Sequence, residues 1–286
     1  VHVGHAAILR EVVARARREQ AAAVLVTFDP HPLTIVAPDR RPSILQTRDQ
    51  KLRALEDAGL DGVLFIEFTP ALARRTGREF LDAVLASGLD LRSVHVGGNF
   101  RFGRDRSGDV ALLRTVGDSR GFDVVQVDAV EADGAIVSSS AIRARIAAGD
   151  VDGAARMLGR TYAIEGEVVR GDGRGRTLDY PTANVASDNE LIPARGVYVT
   201  ETIWNAARHP SVTNVGVRPT FDGERMAVET HLLEFEDDLY HSRVEVRFLA
   251  RLRDELRFGG PAELSDQIGR DLAAAVAYFE NGALGA

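Results

Sequence analysis

The hydrophobic pattern of this chain changes near residue 160, and the change limits the folds that the chain can adopt. Before that point, segments with helical spacing alternate with short apolar runs, as where residues 6–19 are followed by the run Ala22–Thr27. After it, short β-rich runs follow one another between Gly, Pro, Asn and Asp turns, and a helical stretch at Pro261–Phe279 comes last. The sequence therefore predicts an α/β domain with a parallel sheet, followed by an antiparallel sheet or barrel with a terminal helix.

The length of the chain fits two domains. At about 150 residues per domain, 286 residues predict roughly two. The helical segment Ser139–Leu158 is followed by Gly159, and glycine commonly ends helices. We place the boundary there, which gives domains of residues 1–159 and 160–286. Residue 1 is Val rather than Met and a motif begins at His2, so we expect the natural N-terminus to lie upstream.

Composition excludes several classes of protein. The chain has no cysteine, which excludes a disulfide scaffold, a thiol nucleophile and a cysteine-bound metal. Its formal net charge of −7 gives no global attraction to nucleic acid or to an anionic membrane. The apolar runs are far shorter than the roughly 20 residues of a membrane helix, and no secretory signal is visible. We therefore expect a cytoplasmic protein without a nucleic-acid or membrane partner.

A first candidate site begins with His2-Val3-Gly4-His5, at the start of the first predicted helix. A helix N-terminus favours a phosphate, and two imidazoles there can donate hydrogen bonds to phosphoryl oxygens. Ser139 and Ser140 begin a later helix whose first turn presents Arg143, a planar fork of donors that suits phosphate. Each motif alone also fits a chance occurrence, or a plain helix cap with a solvated arginine.

Two further segments follow predicted strands, at the position where open parallel sheets bind ligands. The segment Thr27–Pro32 contains Phe28 and Pro30, and the segment Val96–Gly103 contains Asn99. An aromatic ring and a proline can line a flat pocket, while the amide of Asn99 can bind polar ring edges. A rigid turn and ordinary core packing are the alternative interpretations of these segments.

The second half begins with a Gly-rich loop and a polar tetrapeptide. Backbone N–H groups of the loop, which contains Gly171, Gly173 and Arg176, can form an anion nest, although Gly and Asp also build ordinary hairpin turns. In the tetrapeptide P-T-A-N, Thr182 and Asn184 lie two residues apart and therefore on the same side of extended chain. Their oxygens are hard ligands suited to Mg²⁺, and a polar strand entry is the alternative.

The combination of motifs resembles the bacterial bifunctional riboflavin kinase/FAD synthetase family over essentially the whole chain. The H-x-G-H and S-S-S-A-I-R motifs resemble nucleotidyltransferases that transfer AMP or CMP. The Gly-rich loop, P-T-A-N, Asn214–Phe221 and Val228–Phe235 occur in the order and spacing of a riboflavin kinase domain. The resemblance implies a Rossmann-like α/β nucleotidyltransferase domain joined to a six-stranded antiparallel barrel.

The resemblance also implies two reactions: phosphorylation of riboflavin by ATP to give FMN, and transfer of AMP from a second ATP to FMN to give FAD. Thr182 and Asn184 would hold Mg²⁺, and Glu229 would be the catalytic base. The ATP phosphates of the second reaction would be bound by His2, His5 and Arg143. The other substrate-binding residues implied are Phe28, Pro30, Asn99, Ser139, Ser140, Gly171, Gly173 and Arg176.

Two departures from the family pattern leave alternatives open. The family reads L-G-F-P before T-A-N, whereas this chain has Asp179 at the glycine position, which restricts the backbone beside the nucleotide. The family's G-x-F-D-G stretch before H-x-G-H is absent. An enzyme with one active domain and a catalytically silent flavin-nucleotide-binding regulator stay as alternatives. We expect His231 and Glu234 to have structural roles.

Overall fold

The computed structural model describes residues 1–85, 88, 90–171, 180–220 and 223–282, with side chains described in these ranges except at 218–220 and 223–225. The chain folds into two compact units. The first comprises Val1–Ser43 and Arg48–Val137, and the second comprises Ile44–Thr47 and Ser138–Ala286. The domain boundary at Gly159 stays a prediction.

The first unit alternates helices and parallel strands, as the periodicity predicts. Strand β1 pairs with β2 and β3 pairs with β4, both in parallel, so these strands form two two-stranded sheets. The elements are α1 (Val3–Glu19), β1 (Val24–Asp29), α2 (Pro32–Val36), a 3₁₀ turn (Pro38–Arg40), α3 (Arg48–Glu56), β2 (Gly62–Glu67), α4 (Pro70–Ala73), α5 (Gly77–Leu85), β3 (Ser93–Gly97), a second 3₁₀ turn (Arg104–Arg106), α6 (Val110–Arg120), β4 (Asp123–Val127), β5 (Glu131–Ala132) and β6 (Ala135–Ile136).

Helix ends in this unit follow the capping signals of the sequence. Before α5, the backbone N–H of Thr76 donates to Glu79 Oε2 at 2.7 Å, and the N–H of Glu79 donates to Thr76 Oγ1 at 3.3 Å. This is the reciprocal capping box that the T-x-x-E spacing predicts. Helix α5 then packs its apolar face into a core with β3 and α6. The buried members of that core are Leu81, Val96, Phe102, Val110, Leu113, Val116 and Phe122.

The second unit is a closed antiparallel barrel with flanking helices, which confirms the predicted class. The strands close in the order β10-β11-β8-β7-β12-β9. The elements are α7 (Ser139–Ala148), α8 (Val151–Leu158), β7 (Tyr162–Val169), β8 (Ala183–Ser187), β9 (Gly196–Trp204), β10 (Ala207–Thr220), β11 (Gly223–Leu232), β12 (Arg243–Arg253) and α9 (Pro261–Glu280). The sequence pattern did not indicate β8, which is only five residues long.

The helical segment before the barrel forms two helices rather than one. Gly149 ends α7 in the left-handed conformation, with φ 80°. Asp150 then caps α8 by accepting a hydrogen bond from the N–H of Gly153 at 2.9 Å. Arg145 also donates to the Asp150 carboxylate, so one side chain holds the end of the first helix and the start of the second.

A network of hydroxyl groups lies in the core of the barrel. Thr200 contacts Ser211 and Thr213 at 2.8 and 2.7 Å, and Thr213 donates to Thr230 at 2.9 Å. Thr202 contacts Ser211 at 2.9 Å, and all five residues are fully buried. A buried hydroxyl without a partner is costly, so these groups favour the one strand register that pairs them.

Helix α9 is held to the barrel by apolar packing and by one ion pair. Ala275 and Phe279 pack against Val197 and Val199 of β9. The guanidinium of Arg253 donates to both carboxylate oxygens of Asp271, with N–O distances of 2.7 to 3.1 Å. Gln267 also donates to this carboxylate at 2.8 Å. Asp271 is buried, so its charge depends on these donors.

Removal of the Asp271 carboxylate is expected to destabilise the barrel unit. We expect Asp271→Ala to lower its free energy of unfolding by about 3 kcal/mol, because the guanidinium of Arg253 would lose its bidentate partner. Urea denaturation followed by the fluorescence of Trp204, the single tryptophan of the chain, measures this value. Asp266→Ala, at an exposed position of the same helix, is the matched control. Equal losses in the two variants would contradict the role of the ion pair.

Candidate active sites

The N-terminus of α1 brings His2 and His5 into contact. The backbone N–H of His5 donates to His2 Nδ1 at 3.3 Å, so His2 is the N-cap of the helix. An accepting Nδ1 carries no proton, which places the N–H donor of a neutral His2 at Nε2. The two rings stack with centroids 3.7 Å apart. A Cβ atom at Gly4 would lie 3.2 Å from the His2 ring, so this glycine makes room for the ring.

The electrostatic surroundings of His5 disfavour its protonated form. Burial among protein atoms lowers the pKa of His5 from 6.5 to about 3, and positive charge at His2 and at Lys51 lowers it as well. The His5 side chain is nevertheless exposed to solvent, and water offsets part of this effect. His5 is therefore a neutral imidazole at pH 7, in surroundings that favour an anion.

Lys51 lies within electrostatic range of His5, and the sequence motifs did not indicate it. Its Nζ atom donates to Thr27 Oγ1 at 2.9 Å, beside the carboxyl end of β1. Burial lowers the pKa of Lys51, while the carboxylate of Asp29 raises it. One sequence signal could have identified it, because Lys51 is the single lysine of the chain.

Phe28 belongs to a row of aromatic rings. The Phe28 ring lies 5.2 Å from Phe68 and 5.8 Å from Phe80, and Phe80 lies 5.9 Å from Phe102. Phe100 stacks on Phe102 at 5.3 Å and is partly exposed. This row therefore joins the two segments, after β1 and after β3, that the sequence assigns to a ring pocket.

Pro30 and Asn99 lie at exposed positions near these rings in sequence. Pro30 follows a cis peptide bond after Asp29, just beyond the end of β1. Asn99 occupies the turn after β3, where the N–H of Phe100 donates to the carbonyl of Gly97 at 3.0 Å. Their side chains are open to solvent at the carboxyl ends of parallel strands, as a role in ligand binding requires.

Ser139, Ser140 and Arg143 lie in the first turns of α7. Ser138 caps this helix by accepting from the N–H of Ala141 at 3.2 Å. Arg143 is partly buried, and burial lowers its pKa. Helix α7 belongs to the compact unit that contains the barrel, whereas His2 and His5 belong to the other unit. Their assignment to a common site stays a prediction.

In the barrel, strand pairing places Glu229 between two asparagines. Glu229 of β11 is the direct partner of Asn184 on β8 and of Asn214 on β10. Directly paired residues point to the same face of a sheet, so the three side chains form a row across three strands. The row brings together Glu229 and Asn184, which belong to separate sequence motifs. It adds Asn214, to which the sequence assigned no role.

The P-T-A-N segment is fixed by its surroundings. A Cβ atom at Gly171 would lie 2.1 Å from the side-chain nitrogen of Asn184, so only glycine leaves room for this amide. His231 Nδ1 donates to the carbonyl of Pro181 at 2.7 Å, a contact that fits the structural role expected of His231. Thr182 is half-buried next to Pro181. Gly173, Arg176 and Asp179 lie outside the described residues.

A cleft of about 410 Å³ adjoins this segment. It is lined by Pro181, His231, Leu232, Glu234, Phe235 and Glu236. Glu234 is exposed and adopts a left-handed backbone conformation, with φ 52°, two residues after the end of β11. It lies outside the row of Asn214, Glu229 and Asn184, so Glu229 is the carboxylate that the strand register places beside the two amides.

Comparison with known proteins identifies both halves of the chain. A family model described as FAD synthetase matches residues 1–141, and one described as riboflavin kinase matches residues 158–279. The bifunctional riboflavin kinase/FMN adenylyltransferase of Escherichia coli K12 is 36% identical over 280 residues, which cover 98% of this chain and 90% of the relative. The protein of the same name from Pseudomonas fluorescens is 39% identical over 276 residues, with 96% and 88% coverage.

A solved structure agrees with this fold. A crystal structure from Streptococcus pneumoniae, described as a macrolide-efflux protein, matches with a TM-score of 0.86 and 29% identity. The match covers 96% of this chain and 90% of that chain. Within the described ranges, no helix has the length and apolar character needed to cross a membrane.

Fold and matched domains define a two-domain enzyme of nucleotide chemistry, with a nucleotidyltransferase half and a barrel kinase half. The chain belongs to the bifunctional riboflavin kinase/FMN adenylyltransferase family. Its substrates and products are ATP, riboflavin, FMN and FAD.

The low pKa of His5 predicts how stability depends on pH. Between pH 6.5 and about 3 the unfolded chain binds a proton at His5 that the folded chain does not, so stability falls as pH is lowered through this range. Removal of the imidazole removes this loss. We therefore expect the free energy of unfolding of His5→Gln, relative to that of the parent, to be higher at pH 5 than at pH 8.

Urea denaturation followed by far-ultraviolet circular dichroism at both pH values measures this gain. His241→Gln, which removes an exposed imidazole from the barrel unit, controls for the general effect of losing a histidine. An equal stability difference between His5→Gln and the parent at the two pH values would show that His5 titrates normally in the folded protein.

Proposed function

We propose that the barrel half phosphorylates riboflavin at the row of Asn214, Glu229 and Asn184. The observation that carries this proposal is the strand register, which places one carboxylate between two amides. In the reaction, the 5′-hydroxyl of riboflavin attacks the γ-phosphorus of ATP, and ADP leaves. Glu229 accepts the hydroxyl proton as general base.

We propose that Thr182 and Asn184 hold Mg²⁺ in this site. Their hydroxyl and amide oxygens are neutral hard donors, and such a pair fits a Mg²⁺ ion that keeps water and phosphate ligands. Within the described ranges, no cluster of three or more His, Asp or Glu side chains could hold a metal by itself. Bound Mg²⁺ would supply positive charge to the ATP phosphates. Gly171, Gly173 and Arg176 would contribute to binding those phosphates.

We propose that the α/β half carries out adenylyl transfer beside His2 and His5. A phosphate oxygen of FMN attacks the α-phosphorus of ATP, a P–O–P bond forms, and the bond to pyrophosphate breaks. The imidazoles donate hydrogen bonds to phosphoryl oxygens as charge develops, with Arg143 as a further donor. The remaining residues assigned to substrate binding are Phe28, Pro30 and Asn99 for the flavin, and Ser139 and Ser140 for phosphate.

The cellular location belongs to the proposal. We place the enzyme in the cytoplasm because its substrates, ATP, riboflavin and FMN, are small metabolites. Two alternatives predict different products from riboflavin, ATP and Mg²⁺. An enzyme with only an active kinase domain would stop at FMN, and one with only an active adenylyltransferase domain would act on added FMN alone. A silent regulator would form neither product.

Loss of the base is expected to separate the two activities. We expect Glu229→Gln to lower the rate of FMN formation about 10²- to 10⁴-fold, because the variant keeps the shape of the side chain and loses the proton acceptor. Conversion of added FMN to FAD should be unchanged. Chromatography of the flavin products measures both rates.

Glu234→Gln is the matched control, since it neutralises a carboxylate of the same segment outside the row. A larger loss of FMN formation in this control than in Glu229→Gln would assign the role of general base to Glu234. If Glu229→Gln stopped both reactions in a folded protein, the two-site assignment would be wrong.

A substitution in the α/β half is expected to give the converse separation of the two activities. His5→Ala should slow FMN-to-FAD conversion roughly 10²- to 10³-fold, because one donor to the transferring phosphoryl group is lost. Riboflavin phosphorylation should continue, so FMN should accumulate in a reaction started with riboflavin and ATP. Unchanged FAD formation in this variant would remove His5 from the adenylyl-transfer site.

A further inference from the structure

Lys51 is exceptional in the composition of this chain. Lysine and arginine together number 35, and all of them except Lys51 are arginine. A lysine carries a compact positive charge with three rotatable donors, whereas arginine presents a planar fork. The single lysine also lies at the carboxyl end of β1, the edge of a parallel sheet at which ligands bind.

The position of Lys51 is defined by contacts with the edge of the sheet. Lys51 projects from α3 and donates to the hydroxyl of Thr27 at 2.9 Å. Its Nζ atom lies 5.8 Å from the centre of the Phe65 ring, and Phe65 is the strand partner of Thr27. The side chain is half-buried, so its charge is held at a fixed place rather than free in solvent.

Lys51 shares the carboxylate of Asp29 with a second cation, Arg48. Asp29 is the carboxylate that favours the charged form of Lys51, but Arg48 also lies 3.6 Å from this carboxylate. Two cations therefore share Asp29, and the Arg48 guanidinium lies 4.5 Å from the centre of the same Phe65 ring. Positive charge at Lys51 also lowers the pKa of His5, so the two side chains lie within electrostatic range of each other. A partly desolvated cation in such surroundings attracts an anion.

We propose that Lys51 binds a phosphate group at the adenylyl-transfer centre, together with His2 and His5. This inference rests on the proposed function, which puts phosphate next to His5. In adenylyl transfer, negative charge moves from the FMN phosphate through the α-phosphate to the departing pyrophosphate. Lys51 would exchange its hydrogen bond to the Thr27 hydroxyl for one to a phosphoryl oxygen. It would thereby stabilise this charge without forming a covalent bond.

A purely structural role for Lys51 predicts different behaviour. A hydrogen bond from Lys51 to Thr27 would tie α3 to β1, and its loss would change stability with little effect on substrate affinity. A phosphate-binding role predicts that affinity or turnover depends on the positive charge. The discriminating measurements are therefore the separate kcat and KM values for ATP and FMN, and a direct signal from the Lys51 amine.

The first experiment compares Lys51→Met, Lys51→Arg and the control Arg53→Met in the chain of 286 residues. Arg53 is exposed on the same helix, so its replacement removes a cation outside the site. We expect Lys51→Met to lower kcat/KM for FMN-to-FAD conversion about 10- to 100-fold, Lys51→Arg to recover part of the loss, and Arg53→Met to match the parent. Riboflavin phosphorylation should be unchanged in all three variants.

The kinetic parameters identify which phosphate Lys51 binds. A rise in KM for FMN alone assigns Lys51 to the FMN phosphate, and a rise for ATP alone assigns it to the nucleotide. A fall in kcat with both KM values unchanged assigns it to the transition state. A Lys51→Met enzyme that retains the parent's kcat and KM values would overturn the inference.

The second experiment does not depend on turnover. Reductive methylation with ¹³C-formaldehyde keeps the charge of lysine and labels only Lys51 and the terminal amine, and the Lys51→Met spectrum assigns the two signals. We expect FMN, Mg²⁺-ATP or pyrophosphate to shift the Lys51 signal and to raise its pKa. A Lys51 signal that none of these probes moves would contradict phosphate binding. If the parent formed no FAD while the signal still shifted, the proposed reaction would fail and the phosphate site would stand.

Discussion

Two residue pairs join β11 to β8 and close the barrel: Glu229 lies opposite Asn184, and Thr230 lies opposite Ala183. Because side chains alternate along a strand, Thr230 enters the buried hydroxyl network while Glu229 points to the other face. A slip of one residue would bury the carboxylate and expose the threonine. The hydrogen bond from Thr213 to Thr230 opposes this slip, so the core of the barrel fixes the register on which the proposed kinase residues depend.

The first unit positions its candidate residues through a helix end rather than a strand register. His2 caps α1 through Nδ1, and the cap fixes both the ring orientation and the tautomer. Gly4 leaves space for that ring, and the His5 ring stacks against it. The same imidazole therefore stabilises the helix and, in the proposed function, donates to phosphate from Nε2. Substitution of His2 would combine both effects, which is why His5 is the better residue for separating activity from folding.

The sequence could predict the fold because the two halves differ in the period of their hydrophobic pattern. The periodicity did not delimit β8, since five residues carry too little of it, although P-T-A-N also fitted a strand entry. The motifs placed Glu229 and Asn184 in separate segments, and only the strand register shows that they are partners and that Asn214 joins them. The sequence motifs did not indicate Lys51 for a related reason. Its contact with Thr27 spans 24 positions and follows from tertiary packing.

The two proposed sites differ in the groups that stabilise the negative charge of phosphate. In the row of Asn214, Glu229 and Asn184 the side chains are two amides and one carboxylate, and in the proposed function Mg²⁺ and the Gly-rich loop supply positive charge to the ATP phosphates. Around His5 the neighbours are imidazole, lysine and the end of a helix, which favour anions directly. FMN carries its phosphate as the product of the first site and as the nucleophile of the second. A site with fixed positive charge suits the second role, because attack on ATP brings together two anionic substrates that would otherwise repel each other.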